Sequence, residues 1–127
     1  MRHDTYQKII ENYIDAYNSF DIDRMLLDMH DDIKFENTSN GEINLTTNGI
    51  AELRNQAELA RHLFRERKQT ITGIKFNADQ VEVKIDYYGI LAVDFSDELK
   101  TGDVIELKGS SIFRFKDNKI IELKDIG

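Results

Sequence analysis

The chain has 127 residues, with 24 acidic side chains against 17 basic ones and a formal net charge of −7. At that length about two thirds of the unfolded surface can be buried, so a core can form without disulfides or metals. The absence of cysteine excludes disulfide frameworks, thiolate metal sites and cysteine nucleophiles. A pI near 4.9 argues against nucleic acid and membrane surfaces as partners, since both select basic patches.

With 40% hydrophobic and 32% charged residues, the composition is that of a folded chain. No run of about 18 apolar residues occurs, and Met1-Arg2-His3-Asp4 lacks the apolar core of a signal peptide, so a cytoplasmic protein is expected. There is no proline, repeat or low-complexity linker, and residues 1–127 read as a single domain.

Tyr6, Ile9, Ile10, Tyr13, Ile14, Tyr17 and Phe20 recur at three- and four-residue spacing. This predicts a helix from about Asp4 to Phe20 with one apolar stripe and Asp4 as N-cap. Asp21 or Asp23 can cap a short second helix carrying Met25, Leu26, Leu27 and Met29. The period then changes to two: Ile33-Lys34-Phe35-Glu36-Asn37 reads as a strand, Thr38-Ser39-Asn40-Gly41 as a turn, and Ile43–Thr46 as a short return strand. A third helix is expected from Asn48 to about Phe64, with Ile50, Leu53, Ala57 and Phe64 on one face. From Gln69 onward the pattern is β, in segments Thr70–Asn77, Val81–Val93, Val104–Lys116 and Lys119–Ile126. Short polar turns separate them and imply an antiparallel meander. Helices first and strands afterwards mean an α+β domain, with helices gathered on one face of a bent sheet.

Alternation assigns each strand's buried side. Ile33, Phe35 and Asn37 point inward on the first strand, Val81, Val83, Ile85 and Tyr87 on a later one, and Ile105, Leu107, Gly109, Ser111, Phe113 and Phe115 on the next. The expected inner polar set is thus Asn37, Ser111 and the phenols of Tyr13, Tyr17 and Tyr87, with no inward carboxylate. Asp86 faces outward unless a bulge at Tyr87-Tyr88-Gly89 reverses the phase. His62 lies opposite the apolar face of the third helix, and His30 ends the second. His3, His30 and His62 show no ligand spacing, so no metal or other cofactor is expected.

The stretches YIDAYNSFDIDRMLLDMHDDIKFEN, from Tyr13 to Asn37, and SSIFRFKDNKIIEL, from Ser110 to Leu123, resemble the nuclear transport factor 2-like superfamily. The resemblance is to its SnoaL-like, ketosteroid-isomerase-like branch. It implies a cystatin-like cone: three N-terminal helices packed on a strongly bent mixed or antiparallel sheet of five to six strands enclosing a pocket. Steroid isomerases of this family pair a tyrosine and a protonated aspartate as an oxyanion hole, with a second aspartate as base. Tyr13 matches the tyrosine position, but Asn37 stands at the base position and Ser111 at the oxyanion position. Neither replaces a carboxyl group.

The ligand-binding set read from this is Tyr13, Tyr17, Asn37, Tyr87, Ser111 and Phe113, with no catalytic residue assigned. The expected function is binding of a small apolar molecule without isomerase chemistry. The alternatives are an isomerase, cyclase or dehydratase using Tyr13 as electrophilic donor, and an interaction module with a filled cavity. Apolar residues on the supposedly solvated sheet face, Tyr88 and Ile112 with Ile90 and Ile120, point to a homodimer through that face.

Overall fold

A computed structural model describes residues 2–127, and the elements run α1 (Arg2–Asn18), α2 (Ile22–Leu26), β1 (Met29–Ser39), β2 (Glu42–Asn48), α3 (Ile50–Arg61), β3 (Phe64–Asn77), β4 (Gln80–Leu91), β5 (Val104–Lys116) and β6 (Lys119–Ile126). The predicted stripe is the buried face of α1: Tyr6, Ile9, Ile10, Tyr13 and Ile14 are all in the core. Asp4 is not its cap but sits inside the first turn, where its charge still favours the helix N-terminus. Asp21 does cap α2, accepting from Arg24 N at 3.2 Å. α3 starts later than expected, after Gly49 at φ +87°, and Asn48 N donates to Glu52 Oε1 at 3.0 Å. It ends at Arg61, and Phe64 opens β3 instead of closing the helix.

The six strands form one curved mixed sheet in the order β2-β1-β6-β5-β4-β3. Every pairing is antiparallel except β1 with β6, which brings the first strand alongside the last. Both tight hairpins with consecutive positive φ lie at turn-forming residues, Asn40-Gly41 (54° and 80°) and Asp117-Asn118 (54° and 59°). That backbone matches the right-handed twist of the strands it joins.

The three helices cover one face, and the core fills the space between α1 and the strands. Register slips decide which side chains enter it. Between Arg114 and Phe115 the β5–β6 pairing shifts, and between Met29 and Lys34 the β1–β6 pairing shifts. Ile120 is therefore packed in the core at 1% exposure and does not belong to the outer face, contrary to the alternation reading. Tyr88 does stand on the outer face, 37% exposed, in register with Lys68 and Glu106. Ile112 is half-buried there between Glu82 and Lys124. No described helix is long and apolar enough to cross a membrane.

Candidate functional site

One cross-strand row on the inner face of the sheet carries the polar groups. Asn37 of β1 pairs with Asp125 of β6, Asp125 with Ser111 of β5, and Ser111 with Val83 of β4. Leu123 is buried in the core, and a strand repeats its face every second residue, so Asp125 points inward as well. The expectation of an inner face without a carboxylate is thereby overturned. The same alternation, applied to Ile121-Glu122-Leu123-Lys124-Asp125 with Leu123 inward, carries the signal in the sequence.

Asp125 is half-buried, and Ser111 Oγ donates to its Oδ1 at 2.7 Å. Burial removes water from the charged form and pushes the pKa up to about 6, with the serine hydrogen bond opposing the shift. Near neutral pH this carboxyl changes protonation easily, as an acid–base group must.

Tyr13 reaches the same region from α1. Its ring meets Phe113 edge-on at 5.8 Å, which fixes the phenol's direction. Burial, then the nearby Asp125 charge, raises its pKa well above the ordinary phenol range, so the hydroxyl stays protonated and available as a donor. No described residue hydrogen-bonds that hydroxyl. Among the described residues only Thr47 Oγ1 is both sealed from the surface and unpartnered, so the Tyr13 hydroxyl is not enclosed.

One turn further along α1, the Tyr17 and Tyr87 hydroxyls are 2.9 Å apart. Burial raises both phenols, while the Arg67 guanidinium acts in the opposite sense on each. Arg67, 4% exposed, lies with its guanidinium carbon 3.7 Å from the Tyr17 ring centroid. Its Nε donates to Tyr17 O at 2.9 Å. Asn18 clamps the backbone of β3, donating to Gln69 O at 3.1 Å and accepting from Gln69 N at 2.7 Å. These contacts hold the C-terminal turn of α1 and its tyrosines over the sheet.

The six predicted ligand residues are thus brought to one side of the sheet but not to equal roles. Tyr13, Ser111 and the unpredicted Asp125 converge. Tyr17 and Tyr87 are occupied with each other, and Phe113 is fully buried core. Asn37 is half-buried beside Asp125, but its Nδ2 donates to Asn44 Oδ1 at 2.9 Å, next to a register slip between Asn37 and Thr38. The β4–β5 register runs unbroken through Tyr87-Tyr88-Gly89, so Asp86 stays outside, 3.2 Å from Lys108 Nζ. His62 is exposed. His30 lies in β1, not at the end of α2, and its Nδ1 accepts from Asp32 N at 3.0 Å. Among the described residues no group of three His, Cys, Asp or Glu side chains could hold a metal ion. Leu107, in register with Tyr87 on the inner face, is 57% exposed, so the concave surface is open toward that end.

Residues 10–123 match the family model of the SnoaL-like domain. Among solved structures, a candidate polyketide cyclase from Xanthomonas campestris pv. campestris superposes with a TM-score of 0.84 at 16% identity, covering 100% of this chain and 93% of that one. A protein of ketosteroid isomerase-like fold from Catenulispora acidiphila, crystallised with trimethylamine, gives 0.76 at 14%, covering 92% and 82%. TerC, co-crystallised with polyporic acid, gives 0.77 at 18%, covering 96% and 90%. At these identities the likeness is one of fold. The comparison with curated proteins finds no match.

Proposed function

The chain belongs to the SnoaL-like domain family, and from that premise we propose that it is a proton-transfer enzyme of the isomerase or cyclase kind. Its substrate would be a carbonyl compound held against the concave sheet face. The observation that carries this reading is Asp125: an inward carboxyl with its pKa raised to about 6, near a phenol whose hydroxyl has no hydrogen-bond partner among the described residues. The reading of a pocket without chemistry rested on a missing carboxylate, and the carboxylate is there. The candidate polyketide cyclase among the fold relatives, and another co-crystallised with polyporic acid, support this reading.

The chemistry follows from the two groups. Ionised Asp125 takes a proton from carbon next to a carbonyl. The C–H electron pair moves into the enolate, and its negative oxygen accepts a hydrogen bond from Tyr13. Such a donor, placed beforehand where charge develops, stabilises the transition state more than the ground state. The enolate then either recovers the proton from Asp125 at a different carbon, which is isomerisation, or its carbon attacks a second carbonyl of the same molecule, whose oxygen takes the proton from Asp125 as the ring closes. Ser111 acts through Asp125: its hydrogen bond favours the ionised form and fixes the carboxyl orientation.

The test is solvent deuterium exchange at the α-carbons of a panel of β-diketones, β-keto esters and β,γ-unsaturated cyclic ketones, followed by proton NMR. Exchange above background that is lost in Asp125→Asn supports the proposal. Ligand-induced shifts at Tyr13 and Ser111 with no exchange for any compound would favour binding without chemistry.

A further inference from the structure

A second feature lies at the β3 edge of the sheet, where a groove of about 280 Å³ is lined by Asn18, Phe20, Glu66, Arg67, Lys68 and Tyr88. Arg67 and Lys68 are neighbours on an edge strand, so one points to the inner face and the other to the outer. The groove wraps round the edge between them.

Arg67 is the unusual member. It is a buried cation with no carboxylate within ion-pair distance among the described residues, in a protein of net charge −7. Its two protein hydrogen bonds go to uncharged acceptors, Tyr17 O at 2.9 Å and Met25 Sδ at 3.9 Å. A guanidinium has five N–H donors, so three remain, two of them on Nη1. Nη1 is not among the sealed, unpartnered atoms, so it keeps some contact with the surface, and Arg67 lines the groove. Buried charges are normally paired.

Phe20 supplies an independent observation. It follows α1 at φ +58°, a left-handed position where glycine is the usual residue, and the helix ends there with Asp21 N donating to Ala16 O at 2.9 Å. A bulky residue accepts that strain here, and its ring centroid lies 4.5 Å from the Arg67 guanidinium carbon, opposite no charged partner. Tyr17 contributes a second ring at 3.7 Å. Aromatic faces of this kind stabilise a cation while leaving its N–H edge free for an anion.

We propose that this groove is a binding site for a small aromatic monocarboxylate, held by the free N–H edge of Arg67 with Lys68 and flanked by the Phe20 and Tyr88 rings. The planar fork of Arg67 matches a carboxylate. Glu66 in the same lining opposes a second negative charge, which favours a monoanion over phosphate. The volume lies at the lower end of ligand sites and suits a single ring. The groove's lining includes none of Asp125, Tyr13 and Ser111, and neither proposal depends on the other.

Sodium benzoate is the probe, titrated into nitrogen-15-labelled protein while the backbone amides and the Arg67 Nε–H signal are followed, with inorganic phosphate in parallel. Saturable shifts at Arg67 Nε, Phe20, Lys68 and Tyr88 are expected. Arg67 also holds the end of α1, so the variants leave it in place. Lys68→Ala should weaken benzoate about tenfold, as expected for one charge-assisted contact. Phe20→Gly relieves the backbone strain, should fold at least as well, and should lose most of the affinity. Absence of shifts, shifts centred on Asp125 and Tyr13, or phosphate binding as tightly as benzoate and unaffected by Phe20→Gly would each overturn the assignment.

Discussion

Replacing Asp125 with asparagine tests the central carboxyl without any knowledge of the substrate. The side chain keeps its shape and can still accept from Ser111 Oγ, but it can no longer ionise. In the folded protein the Asp125 pKa is raised from 3.8 to about 6. That difference corresponds to about 3 kcal/mol. The sign follows from proton binding. Between the two values the folded state holds the proton while the unfolded chain has released it, so stability is greatest below the unfolded value. It falls as the pH rises through about 6. Asp125→Asn lacks this fall. The net shift already contains the Ser111 hydrogen bond, so the variant should be about 3 kcal/mol more stable above neutrality. Urea unfolding of both proteins at steps from about pH 4 to about pH 8 measures the difference directly, and other titrating groups cancel between them. The two stability curves should converge near pH 4 and separate as pH rises. Parallel curves, or a variant less stable at about pH 8, would refute the claim that Asp125 is held desolvated on the inner face.

Tyr13→Phe should leave the urea midpoint nearly unchanged, because no described residue bonds the hydroxyl, while α-proton exchange falls by about 10²–10³-fold. An equal loss of stability would make Tyr13 a structural phenol. The buried, unpartnered Oγ1 of Thr47 predicts that Thr47→Val stabilises by about 1 kcal/mol, read as a higher urea midpoint, whereas destabilisation would mean that the hydroxyl has a partner in solution. At Gly109 a Cβ would lie 2.5 Å from Ile126 O, a backbone atom of β6 that cannot move without breaking the sheet. Gly109→Ala should therefore cost about 2 kcal/mol or more in thermal or urea unfolding, and a neutral result would show that β6 can shift there.

Much of this architecture was legible locally. The stripe from Tyr6 to Tyr17 needs only the helical period, Asp21 only the chemistry of a cap, and Asn40-Gly41 and Asp117-Asn118 only the tolerance of those residues for positive φ. The inward direction of Ser111 and Tyr87 followed from alternation, because the β4–β5 register is unbroken from Gln80 to Ile90. Alternation failed at Ile120, where slips in register reset the phase, and nothing in the neighbouring residues announces such a slip. The start of β3 at Phe64 escaped for a related reason, since its first residues carry helix-compatible side chains and the strand exists through its pairing with β4.

The candidate site shows the same division. The side chains of Tyr13, Asn37 and Ser111 could be assigned to one face from the chain alone. Alternation from Leu123 turns Asp125 to its strand's inner side as well, but only the fold sets that strand beside Asn37, because β6 pairs in parallel with β1 across most of the chain length. The raised pKa of Asp125 and the burial of the Arg67 charge without a carboxylate partner among the described residues depend on what surrounds each group through space. Periodicity determines which way a residue points; desolvation and the absence of a counter-ion are properties of packing, and they exist only once the helices close over the sheet.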